Sequence, residues 1–275
     1  MQQQYYFLTG FPRSGNTLLS TILNQNPTIA TTGHSFIPDI FLQLETIKNY
    51  NVTYKNFKTT DNLNEIQKNI FKNFFNNWKQ KNIIIRSEWS TPFNYSMLEK
   101  YCPNEIKIIF LMRDPIEVIK SFLNLCNKYP DFYINKTYNS IDPTTIYKSE
   151  IEEKIEIITK KNEYFDIACM SYKFIKNKKN VLVVDYNNLV KKPNDTIKKI
   201  YNFLKIPKFT HDYKIKNQFS INNQKYNDTV YGENINYHTI RTDKIERENY
   251  HYKDVLSQVI IDKYKHIDKE LYDIK

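Results

Sequence analysis

The run Gly10-Phe11-Pro12-Arg13-Ser14-Gly15-Asn16-Thr17 narrows the fold more than any other feature of the chain. An apolar stretch, Tyr5 to Thr9, precedes it. Behind it, Leu18, Leu19, Ile22 and Leu23 share one helix face until Asn26-Pro27 ends the pattern. A glycine-bounded turn between a buried strand and a helix lets successive backbone N–H groups converge on one anion, and the helix N-terminus adds partial positive charge. The spacing GxxxxG followed by Asn-Thr therefore predicts a phosphate-binding loop in which Asn16 stands where a nucleotide kinase carries lysine. A kinase needs that lysine on the β- and γ-phosphates and a hydroxyl on Mg²⁺. Here the fixed charge sits inside the loop, at Arg13, where it suits an anion held without metal. A surface turn with an incidental arginine leaves the strand before it and the helix after it unexplained.

Three further apolar runs read as buried parallel strands: Ile83 to Arg86, Ile106 to Met112, and Val181 to Asp185. Helical patterning lies between them, over Leu63 to Trp78 and Ser149 to Asn177, and Asn194 to Leu204 follows the last. The run Asp114-Pro115-Ile116-Glu117 reads as an N-cap, a proline at N1 and a capping-box acid, opening a helix to about Lys128. Alternating strands and helices predict an α/β fold: a P-loop-containing central parallel sheet with helices on both faces. Residues 207–247 are polar, rich in Asn and Tyr and weakly periodic, and are expected to form a long loop or lid. Val255 to Leu271 is expected to be a terminal helix. With no repeat and no linker composition, residues 1–275 are expected to form one domain.

Composition bounds the function classes. Apolar residues make up 40% and aromatics 15%, enough for a continuous core. The net charge of +10 suits a solvated lysine surface, in keeping with an AT-rich genome, or a field that draws in an anionic ligand or nucleic acid. Cys102, Cys126 and Cys169 fall in no CxxC or metal pattern, so neither a disulfide framework nor a metal site is expected. No stretch approaches the roughly 18 apolar residues of a membrane span. A soluble, cytoplasmic protein in a reducing compartment is expected.

The segment Thr9 to Leu19, TGFPRSGNTLL, resembles the 5′-phosphosulfate loop of the PAPS-dependent sulfotransferase superfamily (PAPS, 3′-phosphoadenosine 5′-phosphosulfate). It is closer to the PRSGTT-type branch of bacterial and tyrosylprotein sulfotransferases than to the PKSGTT-type cytosolic branch. Asn16 departs from the usual Thr or Ser, but its amide can donate a hydrogen bond to an oxyanion. The resemblance implies that Arg13, Ser14, Gly15, Asn16, Thr17 and Leu18 hold the phosphosulfate. The family's second signature is a strand-end arginine followed by a serine eight residues on. It matches Arg113 and Ser121, which the resemblance places on the 3′-phosphate. Val183-Val184-Asp185-Tyr186 is similar to the family's strand whose tyrosine approaches the nucleoside, although Asn187 replaces the usual acid. Tyr237-His238-Thr239-Ile240-Arg241 resembles a lid segment of bacterial members, which implies that Arg241 or Lys244 completes the 3′-phosphate site.

Sulfuryl transfer needs in-line positioning, charge stabilisation and a base for the acceptor proton. Arg13 and the loop amides suit the second task. Two residues are candidates for the third. Glu88, at a strand end beside Trp89, is expected to have a raised pKa. His34, in Thr32-Gly33-His34, is suited to neutral pH. Arg86 is a candidate to hold the sulfate or orient the acceptor. The resemblance implies PAPS as sulfuryl donor, 3′-phosphoadenosine 5′-phosphate (PAP) as product, no metal, and a small-molecule, glycan or peptide acceptor with a hydroxyl or amine. Its pocket is expected from residues 36–62, 129–148 and 208–247, with Phe36, Phe41, Trp89, Tyr129, Phe132 and Tyr133 as stacking or core aromatics. A P-loop kinase, a basic nucleic-acid-binding protein and a PAP-binding but inactive relative are the alternatives.

Overall fold

Five parallel strands make the central sheet: β1 (Gln4–Gly10), β2 (Ile29–His34), β3 (Asn82–Arg86), β4 (Ile108–Met112) and β5 (Val181–Asp185), in the order β2-β3-β1-β4-β5. The computed structural model describes residues 3–57, 60–161, 163–221, 224–231, 235–240, 245, 256, 258–262 and 264. Side chains of β1 alternate between two cores, as the two-residue strand period requires. Tyr5 and Phe7 enter one with Ile83, Ile85, Ile108 and Phe110, while Tyr6 and Leu8 enter the other with Ile84, Ile109 and Leu111. Both faces of the sheet are covered, which is why these strands read as unbroken apolar runs.

The helices follow in chain order: α1 (Asn16–Leu23), α2 (Ile37–Tyr50), α3 (Val52–Phe57), α4 (Thr60–Lys68), α5 (Ile70–Phe75), α6 (Pro92–Tyr101), α7 (Pro115–Lys128), α8 (Tyr133–Asn139), α9 (Glu150–Thr159), α10 (Tyr164–Ile175), α11 (Tyr186–Lys191) and α12 (Pro193–Leu204). Helices α1 and α12 supply Leu19, Ile22, Ile197, Ile200 and Leu204 to the core that holds Leu8. Helices α5, α6, α7 and α10 supply Phe71, Leu98, Phe122 and Tyr172 to the core that holds Phe7.

Several expectations need correction. Strand β2 was not expected: its residues Thr31-Thr32-Gly33 interrupt the apolar signal, and it lies at the sheet edge, where its register against β3 shifts between Thr31 and His34. The stretch from Ser149 to Asn177 is two helices, α9 and α10. Ser149 opens the first with a capping box to Glu152. Leu63 to Trp78 is likewise broken at Asn69, between α4 and α5. Residues 36–62, expected to contribute to the acceptor pocket, are largely helical among the described residues. The 207–247 strap contains only a two-residue hairpin pair, β6 (Ser220–Ile221) and β7 (Gln224–Lys225), and a 3₁₀ turn at Asp228–Tyr231 among its described residues. Residues 258–262 and 264 are helical; the remainder of the expected terminal helix lies outside the described residues. None of the helices is long and apolar enough to cross a membrane among the described residues.

Candidate active site

The phosphate loop is built by close approach. Gly10 has φ 147°, and a Cβ there would fall 2.1 Å from the carbonyl oxygen of Leu111 on β4. Only glycine lets β1 turn out of the sheet at this point. Phe11 N–H donates to that same Leu111 carbonyl at 2.9 Å. The side chains of Ser14 and Asn16 turn into the loop. Ser14 Oγ donates to the Phe11 carbonyl at 2.6 Å, and Asn16 Nδ2 donates to that carbonyl at 3.3 Å and to Ser14 Oγ at 3.2 Å. Asn16 thus braces the loop internally, where its amide was expected to donate to an oxyanion. Its Oδ1 is buried with no partner among the described residues. Arg13 (φ 61°) and Gly15 (φ 88°) both take the left-handed conformation, the alternation that turns backbone amides into an anion nest. The first N–H groups of α1, which no helix can satisfy internally, lie at the same place. Gly15, Asn16, Thr17 and Leu18 all line the cleft.

The second motif folds onto the first. Asp114 caps α7, accepting from the amide of Ile116 at 2.7 Å, and this fixes Arg113 at the end of β4. Arg113 is 4% exposed; its Nη1 donates to the carbonyl oxygen of Arg13 at 2.7 Å, and its guanidinium lies 4.6 Å from the ring centre of Tyr186. Arg13 Nε donates to Ser121 Oγ at 3.2 Å, and Arg13 Nη1 to the Tyr237 carbonyl at 2.9 Å. Tyr186, at the start of α11, stands so close to Gly15 that a Cβ there would meet its Cδ2 at 2.9 Å. Arg13, Arg113, Ser121 and Tyr186 therefore form one cluster around the loop. Two guanidiniums lining one cleft favour a multiply charged anion, although Glu117 Oε2, 4.0 Å from Arg113 Nη2, offsets part of that charge.

Both base candidates meet at the ends of β2 and β3. His34 Nε2 and Glu88 Oε2 are 3.1 Å apart. Burial pushes the Glu88 carboxyl up, but the hydrogen bond and charge of His34, with help from Ser87, outweigh it and hold the group below its ordinary range. The expected raised pKa is thus overturned. Trp89 does not enter the site: it is 0% exposed, packs on Phe7 and Phe71, and donates Nε1–H to the Ile85 carbonyl. Phe41 is likewise a core residue, while Phe132, buried in the core, lines the cleft with Tyr129 and Tyr133, and Phe36 is exposed.

Arg86 joins this pair to the strap. Its Nη1 donates to Thr17 Oγ1 at 3.1 Å and to the Tyr226 hydroxyl at 3.2 Å. Tyr226 stacks on His238, with ring centres 3.9 Å apart and planes at 10°. His238 Nδ1 lies 2.6 Å from Asp228 Oδ1, and its backbone N–H donates to Asp228 Oδ2 at 2.8 Å. Burial lowers the His238 pKa, the Asp228 hydrogen bond opposes this, and nearby Arg86 and Arg13 tip the balance downward. Sequence reasoning singled out the segment but missed this His–Asp pair and the role of Tyr226. The partners stand ten residues apart in the sequence, and no periodicity announces the pairing. Arg241 and Lys244 lie outside the described residues.

Arg13, His34, Arg86, Glu88, Arg113, Tyr186 and His238 line one cleft of about 1710 Å³. Among the described residues no group of three or more His, Cys, Asp or Glu is arranged to hold a metal ion.

A sulfotransferase family model matches residues 6–211. No curated protein sequence matches the chain. Among solved structures, the sulfotransferase domain from the Synechococcus PCC 7002 olefin synthase superposes with a TM-score of 0.60 at 16% identity, covering 100% of this chain and 97% of that one. The sulfotransferase domain from the curacin biosynthetic pathway gives 0.47 at 18% identity, covering 76% of each chain. Retinol dehydratase in a complex with retinol and PAP gives 0.48 at 14% identity, covering 100% of this chain and 83% of that one. At these identities the first likeness shows a shared fold, and the family match extends from β1 through the loop, the Arg113 motif and β5 to the start of the strap. The chain belongs to the sulfotransferase family and is a PAPS-dependent sulfotransferase.

Proposed function

We propose that the cleft binds PAPS with its phosphosulfate on the loop from Gly10 to Leu18 and its 3′-phosphate among Arg13, Arg113 and Ser121, and that Glu88 takes the acceptor proton. The observation that carries the reading is the joining of two motifs a hundred residues apart: Arg113 donates to the Arg13 carbonyl while Arg13 donates to Ser121. The site fits the donor on its own terms. Gly15 leaves a hollow that a Cβ would fill against Tyr186, and the cationic cluster suits a ligand with more than one anionic group.

When bound, PAPS supplies an electrophilic sulfur and a phosphate leaving group. Glu88, kept ionised by His34, is a carboxylate ready to accept the proton of an acceptor hydroxyl or amine as its oxygen or nitrogen bonds to sulfur. Arg86, tied to Thr17 at the start of α1, offsets the negative charge that builds up during transfer. A second reading of the base rests on His238. Asp228 accepts Nδ1–H, so in the neutral ring Nε2 carries the lone pair, the tautomer a general base needs.

Calorimetric binding of PAP without metal tests the donor site, with ATP-Mg as competitor. The expected result is metal-independent binding that Arg113→Ala and Ser121→Ala weaken. Preference for ATP-Mg would replace this reading with a kinase.

A further inference from the structure

The same cleft extends along the last turn of α7, along α8, and along the facing ends of α9 and α10. Three cations line this arm: Lys128, Lys136 and Lys160. All are exposed, and none is paired with a carboxylate among the described residues, whereas Lys48, Lys107, Lys120, Lys148 and Lys154 each have an acidic partner. Glu163 is the one carboxylate among the described lining residues of this arm, since Glu88 is engaged with His34. A positive excess concentrated in a concave wall is a directional field.

This field is separate from the 3′-phosphate cluster. Lys128 follows Ser121 by seven residues on α7, about 10 Å along the axis. Its ammonium lies 5.1 Å from the ring centre of Tyr129, on the side away from Ser121 in the chain. A run of aromatic contacts leads from the loop toward this arm: the Arg13 guanidinium lies 4.8 Å from the ring centre of Tyr237, Tyr237 stacks on Phe132 at 5.9 Å, and Phe132 meets Tyr133 at 4.8 Å. Tyr164 lines the same cleft as Glu88 and Glu163, and burial raises its hydroxyl pKa, with the charges of Glu88, Tyr237 and Glu163 adding to the rise. Burial likewise raises Tyr133, with Tyr237, Glu163 and Tyr164 contributing.

We infer that the acceptor is an anion: it carries a carboxylate or phosphate at the end remote from its hydroxyl or amine, and Lys128, Lys136 and Lys160 receive that charge while the tyrosines hold the body between. The inference rests on the donor site proposed above. Tyrosine faces suit a ring or a sugar, and three ammonium groups on flexible stems suit a point charge approached from solvent.

The test uses the full chain saturated with PAP and two matched pairs of probes. These are 4-hydroxyphenylpropionate against its methyl ester, and glucose 6-phosphate against glucose, titrated by ligand-observed NMR. The expected result is that the charged member of at least one pair binds about tenfold tighter than its neutral mate, in line with three partly exposed ion pairs. The pair that responds tells carboxylate from phosphate. The Lys128→Ala/Lys136→Ala/Lys160→Ala variant should lose the preference and keep its PAP affinity. Equal binding of neutral and charged members, a preference that survives in the triple variant, or no binding of either charged probe to PAP-loaded enzyme would each overturn the inference. A wild type that fails to bind PAP overturns the donor-site reading and this inference with it, so the two failures are distinguishable.

Discussion

Arg113 Nη1 donates a 2.7 Å hydrogen bond to the carbonyl oxygen of Arg13, so the end of β4 holds the conformation of the loop that follows β1. The guanidinium does three things at once: it braces the loop, lies against Tyr186, and sets a positive charge in the cleft. Arg113→Lys keeps the charge and loses the planar fork. The expected result is a loss of about tenfold or more in PAP affinity, the range of one charged hydrogen bond, with the fold retained. Calorimetry beside circular dichroism measures both.

Gly15 is constrained twice, by its φ of 88° and by the Tyr186 ring. Gly15→Ala is expected to cost about 1–2 kcal/mol of stability from the backbone alone. It should also weaken PAP binding, because the new methyl displaces Tyr186. Adding Tyr186→Ala removes the clash and leaves the strained backbone, so the double variant should recover only part of the stability in urea unfolding. Full recovery would mean that the ring contact, and not φ, sets the requirement.

The Glu88–His34 pair makes a pH prediction with a definite sign. Burial raises the Glu88 carboxyl and His34 pulls it below the ordinary range. A carboxylate whose folded pKa is depressed adds stability above its unfolded pKa, and that stability is lost as pH falls through the folded value. For catalysis, the acid limb of the rate profile should lie below the ordinary carboxylate range. In His34→Gln the largest opposition to burial is lost and only the weaker hydrogen bonds, Ser87's among them, remain, so the limb should move to higher pH. Glu88→Gln should lower kcat by about a hundredfold or more with PAP affinity unchanged. An unmoved acid limb in His34→Gln, with Glu88→Gln near wild type, would pass the role of base to His238.

What was legible in the sequence was what local chemistry dictates. Gly10 and Gly15, set between an apolar run and a helix face, announced the phosphate loop. The run from Ile108 to Asp114-Pro115 announced a strand, an arginine and a capped helix, and α7 ends at Lys128 where its pattern ends. Strand β2 stayed hidden because Thr31, Thr32 and Gly33 carry no apolar signal, and its edge position asks for none. The inward turn of Asn16 was not readable either, because it depends on the buried Phe11 carbonyl it satisfies. The environment of Glu88 was misread because its chain neighbour Trp89 points into the core, while its spatial neighbour His34 comes from another strand. Contacts such as Tyr226 on His238 are set by how an irregular strap lies over the sheet, which no local rule encodes.

Buried histidines should make the fold acid-sensitive. His211 is buried, and its Nε2 lies 2.9 Å from the Tyr201 hydroxyl, which also accepts from Asn26 at 3.0 Å. Burial lowers its pKa, as it lowers that of His238. A histidine with a depressed folded pKa binds a proton more readily when unfolded, so stability is highest above the unfolded value, about 6.5, and is lost as pH falls through the folded one. The melting temperature is therefore expected to fall between pH 7 and pH 5. His211→Phe should reduce the slope at the α12 end of the sheet. His238→Phe keeps a ring against Tyr226 and should reduce it through the strap. Thermal melts of both single variants and of the double across this range measure the two contributions. A slope unchanged in the double variant would assign the acid sensitivity to carboxylates instead.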